Sequence, residues 1–231
     1  MELSSQIEDY LKSIYLLQDR YPRVPTTVLA ERLEISAPSV TSMVRKLDRL
    51  GLLEHEPYRG VRLTADGEEQ ALRIVRAHRL WEAYLVEALD LAWDVAHIEA
   101  EKLEHALSAS LADRLDAALD FPTIDPHGHP IPSRNGQMPD RAGVPLSSLS
   151  AGAEGVVLQI CDDTPELLRY LGDLGIYPGE CLLVLSVAPF EGPLHLRVGN
   201  ETLAVGRRVA EHVVVELAAG CGAEEEEIHK Q

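Results

Sequence analysis

His78 and Glu82 stand four residues apart in a stretch whose neighbours on the helical wheel, Ala71, Ile74, Val75, Trp81, Leu85 and Leu89, are all apolar. Both polar groups therefore fall on a buried stripe. A carboxylate there is costly unless it is paired or bound to metal, so the pair demands a partner. In the next helical stretch His97, Glu101, Glu104 and His105 share an arc of about 100° beside an apolar stripe, whereas Glu99 points away. Imidazole and carboxylate groups on two adjacent helices make a nitrogen-and-oxygen cage suited to a divalent first-row metal. The alternative is a helix-to-helix network of ion pairs and hydrogen bonds, which a lysine or arginine at its centre would favour. Arg79 and Lys102 lie outside the clusters on their own wheels. A third reading, a metalloenzyme whose cage activates water, lacks an additional acid or base.

A second group of residues suits nucleic acid. Between 36 and 49, small polar residues come first (Ser36, Ser39, Thr41, Ser42, with Pro38 in the first turn) and basic ones follow (Arg45, Lys46, Arg49). On a recognition helix the first set faces base edges and phosphates in the major groove, and the second binds backbone phosphates. Arg59 and Arg62, in the hairpin that follows, would grip the flanking backbone. Used only for protein contacts, the same helix would carry these charges as a solvated face.

The elements that must position these groups can be read along the chain. Leu3, Ile7, Tyr10, Leu11 and Ile14 share one helical stripe that ends near Asp19, and the break at Tyr21–Pro25 leads to a short helix through Leu33. A third helix runs to Leu50, and Leu52 to Leu63 reads as a β-hairpin turning at Pro57, Arg59 and Gly60. Three helices and a hairpin make a winged helix-turn-helix over 1–63. Thr64 caps a long helix, and further helices are expected near 94–108 and 110–119, which gives a helical unit over 64–121. Pro122, Pro126, Pro130, Pro132, Pro139 and Pro145 mark 122–148 as a linker. Short strands at 155–160, 181–187, 194–198 and 213–217, with a helix from Pro165 to Leu174, predict a small SH3-like β-barrel over 149–218. An acidic tail occupies 219–231. The fold class is mainly α with a small β part.

The net charge of −17 argues against nucleic acid until it is divided. Residues 1–63 hold 9 basic and 9 acidic side chains, and the excess acid lies in the later parts. A local basic surface can sit inside an acidic chain. The N-terminal residues carry acids where a signal peptide would carry positive charge, and no membrane-length apolar run exists, so a cytoplasmic protein is expected. Cys161, Cys181 and Cys221 lack metal or disulfide spacing and are read as reduced thiols. Phosphate loops, Ser/His/Asp arrangements and zinc-protease motifs are absent, and neither an enzyme nor a small-molecule substrate is expected. His127 and His129, in the proline stretch, and His55, His195, His212 and His229 read as structural or solvated.

The order of these parts resembles the diphtheria toxin repressor and manganese transport regulator family of metal-dependent transcription factors. The resemblance rests on Glu8-Asp9-Tyr10-Leu11, Ser39-Val40-Thr41, Arg45-Lys46-Leu47, Tyr58-Arg59-Gly60-Val61, His78-Arg79-Leu80, Glu101-x-x-Glu104-His105, Pro126-His-Gly-His-Pro-Ile-Pro132 and Leu171 to Gly179. It implies a homodimer on double-stranded operator DNA. It also implies two metal sites per subunit: Asp9, Glu101, Glu104 and His105 in the activating one, and His78, Glu82 and His97 in an ancillary one completed by Asp163 or Glu166. On the wheel of the first helix Asp9 lies opposite the apolar stripe, so only the resemblance makes it a ligand. Iron-preferring members carry Met and Cys at the positions of Asp9 and Glu101. Hard oxygen ligands at both places favour Mn²⁺, with Fe²⁺ as the alternative. Lys12 stands where the short manganese regulators carry a glutamate, which argues against a binuclear site. The expected function is a manganese-responsive repressor of metal-uptake genes.

Overall fold

A computed structural model describes residues 3–139, 142–161 and 164–218. Helix α1 (Ser5–Gln18) buries Ile7, Tyr10, Leu11 and Ile14, the stripe read from the sequence. Helices α2 (Thr26–Arg32) and α3 (Ala37–Arg49) follow. Pro38 is tolerated because the first turn of a helix has no partner for its N–H. Strands β1 (Leu53–Glu56) and β2 (Gly60–Leu63) form the antiparallel hairpin. Gly60 is required there twice over: its φ is +106°, and a Cβ would stand 2.4 Å from the Val24 carbonyl oxygen. That close approach lets Val24 and Val61 exchange two backbone hydrogen bonds of 2.8 and 2.9 Å, tying the hairpin to the segment before α2. Leu11, Leu29, Val40, Leu47 and Val61 close one core beneath these elements. The winged helix-turn-helix is present.

Thr64 Oγ1 accepts the Gly67 N–H at 3.2 Å and opens α4 (Ala65–Glu87). Helix α5 (Trp93–Leu103) ends in a 3-10 turn, Glu104–Ala106, before α6 (Ala109–Ala118). Glu104 and His105 therefore sit in a tightened turn where the chain leaves α5, not in the middle of one continuous helix.

The proline-rich stretch is not a solvated spacer over its first part. Asp125 and His127 are buried, and Asp125 Oδ1 accepts the N–H groups of His127 and His129 at 2.8 and 2.9 Å. Ile124 bridges Pro130, and Arg79 donates to the Pro130 carbonyl while Arg76 donates to that of Pro132 at 2.6 Å. Gly128, at φ +85°, lies so close to the Leu158 carbonyl that no side chain fits. Prolines that look like linker punctuation here fix the course of a backbone packed against α4.

The last unit is a six-stranded antiparallel sheet in the order β3 (Val144–Pro145), β8 (Val213–Leu217), β4 (Glu154–Ile160), β5 (Cys181–Val187), β6 (Leu194–Val198) and β7 (Glu201–Val205). Helix α7 (Pro165–Asp173) connects β4 to β5, and the four-residue α8 (Arg207–Ala210) precedes β8. Strand β7 escaped the sequence reading because only one of its residues, Val205, is fully buried. Trp93, the first residue of α5, belongs to this core, packed between His127 (ring centroids 5.4 Å apart) and Tyr177 (4.8 Å). An Arg169–Asp94 ion pair at 3.0 Å joins α7 to α5 beside it. Cys161 is an exposed thiol, but Cys181 is disulfide-bonded, which corrects the expectation of a reduced thiol there. The acidic tail lies outside the described residues. Among those described, no helix is long and apolar enough to cross a membrane.

Candidate metal centre and nucleic-acid interface

Helix α1 has two buried faces. One packs into the winged helix, and the other meets α4 and the end of α5, bringing Glu8, Asp9 and Lys12 to the carboxylates and imidazoles of those helices. Asp9 Oδ1 lies 2.9 Å from His105 Nε2, and Glu8 Oε2 lies 2.8 Å from His105 Nδ1. Asp9, Glu104 and His105 each offer one ligand atom within 4.8 Å of the others. Glu104 is buried, and its Oε1 accepts no hydrogen bond although His105 Nε2 stands 3.6 Å away. Burial, against the pull of His105, raises the Asp9 pKa, and the neighbouring Glu104 and Glu101 add to that. Crowded carboxylates with one buried oxygen unpartnered are a donor set that a divalent cation fits.

A second group, His78, His97 and Glu101, also brings its ligand atoms within 4.8 Å of one another. Around it Glu82 Oε1 lies 2.9 Å from His78 Nε2, 2.8 Å from His97 Nδ1 and 3.3 Å from His127 Nδ1. Burial opposes its charge, but His78 and His127 hold the Glu82 carboxyl well below the usual range. Burial likewise opposes the His78 cation, yet Glu82, with a further contribution from Glu104 and against repulsion from Lys12, pushes its pKa up to about 10. Metal ligation at His78 would therefore release a proton.

Lys12 connects the two groups. Its Nζ lies 2.6 Å from Glu104 Oε2, 2.8 Å from Glu101 Oε1 and 3.1 Å from His78 Nδ1. Burial disfavours this ammonium, but Glu104 and Glu101 outweigh it and its pKa is raised. The lysine that would favour an ion-pair network is thus present, contributed by α1, a helix the two-helix reading left out. Of the four residues expected in the activating site, Asp9, Glu104 and His105 cluster directly, while Glu101 faces His78 and His97 with Lys12 beside it. Of the expected ancillary residues, His78, Glu82 and His97 meet. Asp163 lies outside the described residues, and Glu166 is exposed on the first turn of α7 and is not among the clustered groups.

The residue that meets Glu82 from beyond the helices is His127, to which the sequence assigns only a structural or solvated place. Together with Asp125 and His129 it forms a third group with ligand atoms within 4.8 Å. Its Pro-His-Gly-His-Pro setting has no helical period, so spacing gave no signal; two histidines beside a turn-forming Asp125 were the only hint.

On the opposite side of the winged helix, Ser36, Pro38, Ser39, Ser42, Arg45, Lys46, Arg49, Arg59 and Arg62 are all exposed and Thr41 is half-buried. The Thr41 hydroxyl donates to the Ala37 carbonyl at 2.9 Å, leaving its oxygen an acceptor. Arg59 pairs with Glu56 at 2.7 Å, and Arg62 sits opposite Glu54 in the hairpin register, so wing charge is partly neutralised. Tyr58, at φ +66°, is fully exposed at the tip.

Comparison with known proteins matches the chain to three family models. Residues 2–61 match the model of the iron-dependent repressor N-terminal DNA-binding domain, 64–133 that of the iron-dependent repressor metal-binding and dimerisation domain, and 144–217 that of the FeoA domain. The iron-dependent repressor IdeR of Mycobacterium leprae is 33% identical over 227 residues, covering 93% of this chain and 98% of that protein. A solved manganese-dependent transcriptional repressor in complex with manganese is 38% identical, with a TM-score of 0.84 over 92% of this chain and 100% of that one. The structure of ScaR with bound Cd²⁺ is 30% identical, with a TM-score of 0.79 over 91% and 98% of the two chains.

Proposed function

This chain belongs to the iron-dependent (diphtheria toxin) repressor family of metal-dependent transcriptional repressors, and on that premise we propose that it represses in response to Mn²⁺ bound between α1 and the end of α5. The observation that carries the reading is the meeting of Asp9, from the winged helix, with Glu104 and His105, from the turn after α5, around a buried and unpartnered Glu104 oxygen. A divalent ion there supplies a charge that carboxylates of both units can share. Asp9 and Glu8 position α1, and with it α3 and the hairpin, against α4 and α5. His78, Glu82 and His97 support a second site, with His127 beside Glu82. The family binds DNA and is not enzymatic, so the water-activating alternative falls away.

A homodimer is supported by the family's dimerisation domain and by exposed apolar side chains on the helical unit: Leu89, Val95, Ile98 and Leu111. Two such subunits would present two α3 helices at the spacing of two half-sites. Proposed contacts are the α3 residues Ser36, Pro38, Ser39, Thr41 and Ser42 to bases and nearby phosphates, and Arg45, Lys46, Arg49, Arg59 and Arg62 to the backbone. Regulation of metal-uptake genes follows from a repressor that reads the metal itself.

The choice of Mn²⁺ over Fe²⁺ rests on oxygen at Asp9 and Glu101. The double variant Asp9→Met, Glu101→Cys exchanges two hard ligands for thioether and thiolate while leaving Glu104 and His105 in place. Measured as DNA binding against free metal, it will lose its response to Mn²⁺ and gain relative response to Fe²⁺ under anaerobic conditions. An unchanged preference for Mn²⁺ would show that these two positions do not set the metal.

A further inference from the structure

Two groups of candidate ligands lie side by side, and one ammonium is bonded to both. Lys12 Nζ holds Glu104 Oε2, from the Asp9–Glu104–His105 group, and Glu101 Oε1, from the His78–His97–Glu101 group. The side chain is 10% exposed and the Glu104 side chain is fully buried. One oxygen of each of these two carboxylates, Glu104 Oε2 and Glu101 Oε1, is already the acceptor of a charge-assisted hydrogen bond, while the buried Glu104 Oε1 accepts none.

We infer that Lys12 is an internal competitor for the metal, whose ammonium holds one oxygen of Glu104 and one of Glu101 and neutralises carboxylate charge that an ion would otherwise bind, so that it raises the metal concentration at which the protein responds. The inference rests on the metal-site reading above and goes beyond it in naming a residue that opposes binding. An ammonium and a metal dication are both satisfied by carboxylate oxygens, but the ammonium is tethered to α1 and is never diluted. It thus acts as a fixed cation of high effective concentration. Its position has a structural consequence as well: it ties α1 to the end of α5 with no ion involved. Asp9 and Glu8, on the same helix face, pair with His105.

A competitor and a helper are told apart by sign. If Lys12 merely orients Glu101 and Glu104 for ligation, removing its charge will weaken metal binding. If it competes, removal will strengthen it. The test is calorimetric Mn²⁺ binding to the full chain and to Lys12→Met, which keeps the length of the side chain and deletes the ammonium, with Mn²⁺-induced change in Tm as a second readout. Expected is binding about tenfold tighter or more, one such factor for each 1.4 kcal/mol of ion pairing no longer displaced. A larger Mn²⁺-induced rise in Tm should accompany it, since a ligand stabilises the folded state in proportion to ln(1 + [L]/Kd). The gain should persist at high salt, because a buried pair is poorly screened whereas a general effect of net charge is not. Should Lys12→Met not fold, Lys12→Gln, whose amide can still donate to one carboxylate, will show a smaller gain of the same sign. Equal or weaker Mn²⁺ binding by these variants, or a gain that vanishes in salt, overturns the competitor role while leaving the metal sites intact. Absence of Mn²⁺ binding by the wild-type chain overturns the metal-site reading and the competitor with it.

Discussion

Asp9→Ala will fold as the wild type does and will need about 100-fold more Mn²⁺ to bind DNA, a coupling loss at the upper end of what linked sites show. The two halves of this result have different physical sources. The Asp9 side chain is 43% exposed, and its partner His105 keeps a 2.8 Å contact with Glu8, so little folding stability is at stake. What is lost is the carboxylate that the winged helix contributes to the shared site. Glu104 and His105, on the α5 side, remain able to hold an ion, so calorimetry should still detect metal at concentrations where DNA binding does not yet respond. Separation of binding from response is the signature of a coupling residue. Asp9→Ala that is switched on at the wild-type Mn²⁺ concentration would mean that α1 is positioned by something else, and Glu8 would be the next residue to test.

His78→Ala should show the opposite pattern, with a large effect on stability even in the presence of a chelator. His78 is 5% exposed and stands between Glu82 Oε1 at 2.9 Å and Glu104 Oε2 at 2.6 Å. Removing one partner from a buried charged network leaves the others uncompensated, at a cost of about 3 kcal/mol. For a chain of this length that lowers Tm by about 6 to 12 °C. His78→Gln, which can still donate one hydrogen bond, should lose less. Chemical denaturation with chelator present makes the comparison. A loss for His78→Ala below about 0.5 kcal/mol would show that Lys12, His97 and His127 already satisfy both carboxylates without it.

His78, Glu82 and His97 could be read from the sequence because they break an otherwise apolar stripe, and a broken stripe has a periodicity to be read against. Glu8, Asp9 and Lys12 could not. They occupy an arc of α1 opposite Tyr10, Leu11 and Ile14, and a helix read as amphipathic is assigned one buried face. Helix α1 is covered on both sides, by the winged-helix core and by α4, so its polar face is the inner wall of the site. His127 and Asp125 were hidden for another reason: they lie in an irregular segment whose burial depends on Arg76, Arg79 and Gly128 meeting it from elements distant in sequence. The hairpin and its Gly60 turn were legible because turn chemistry is local. Strand β7, half-exposed at the sheet edge, carried no such local mark.

The central claim is that an ion held between α1 and the end of α5 switches on DNA binding. Its most direct test is fluorescence anisotropy of labelled genomic fragments against the wild-type protein, titrated with Mn²⁺ and then with excess chelator. Duplex binding should appear with Mn²⁺, weaken steeply with salt as phosphate contacts require, and be fully reversed by the chelator. Binding that is already complete in chelator, with the same affinity and salt dependence as in Mn²⁺, would contradict the claim.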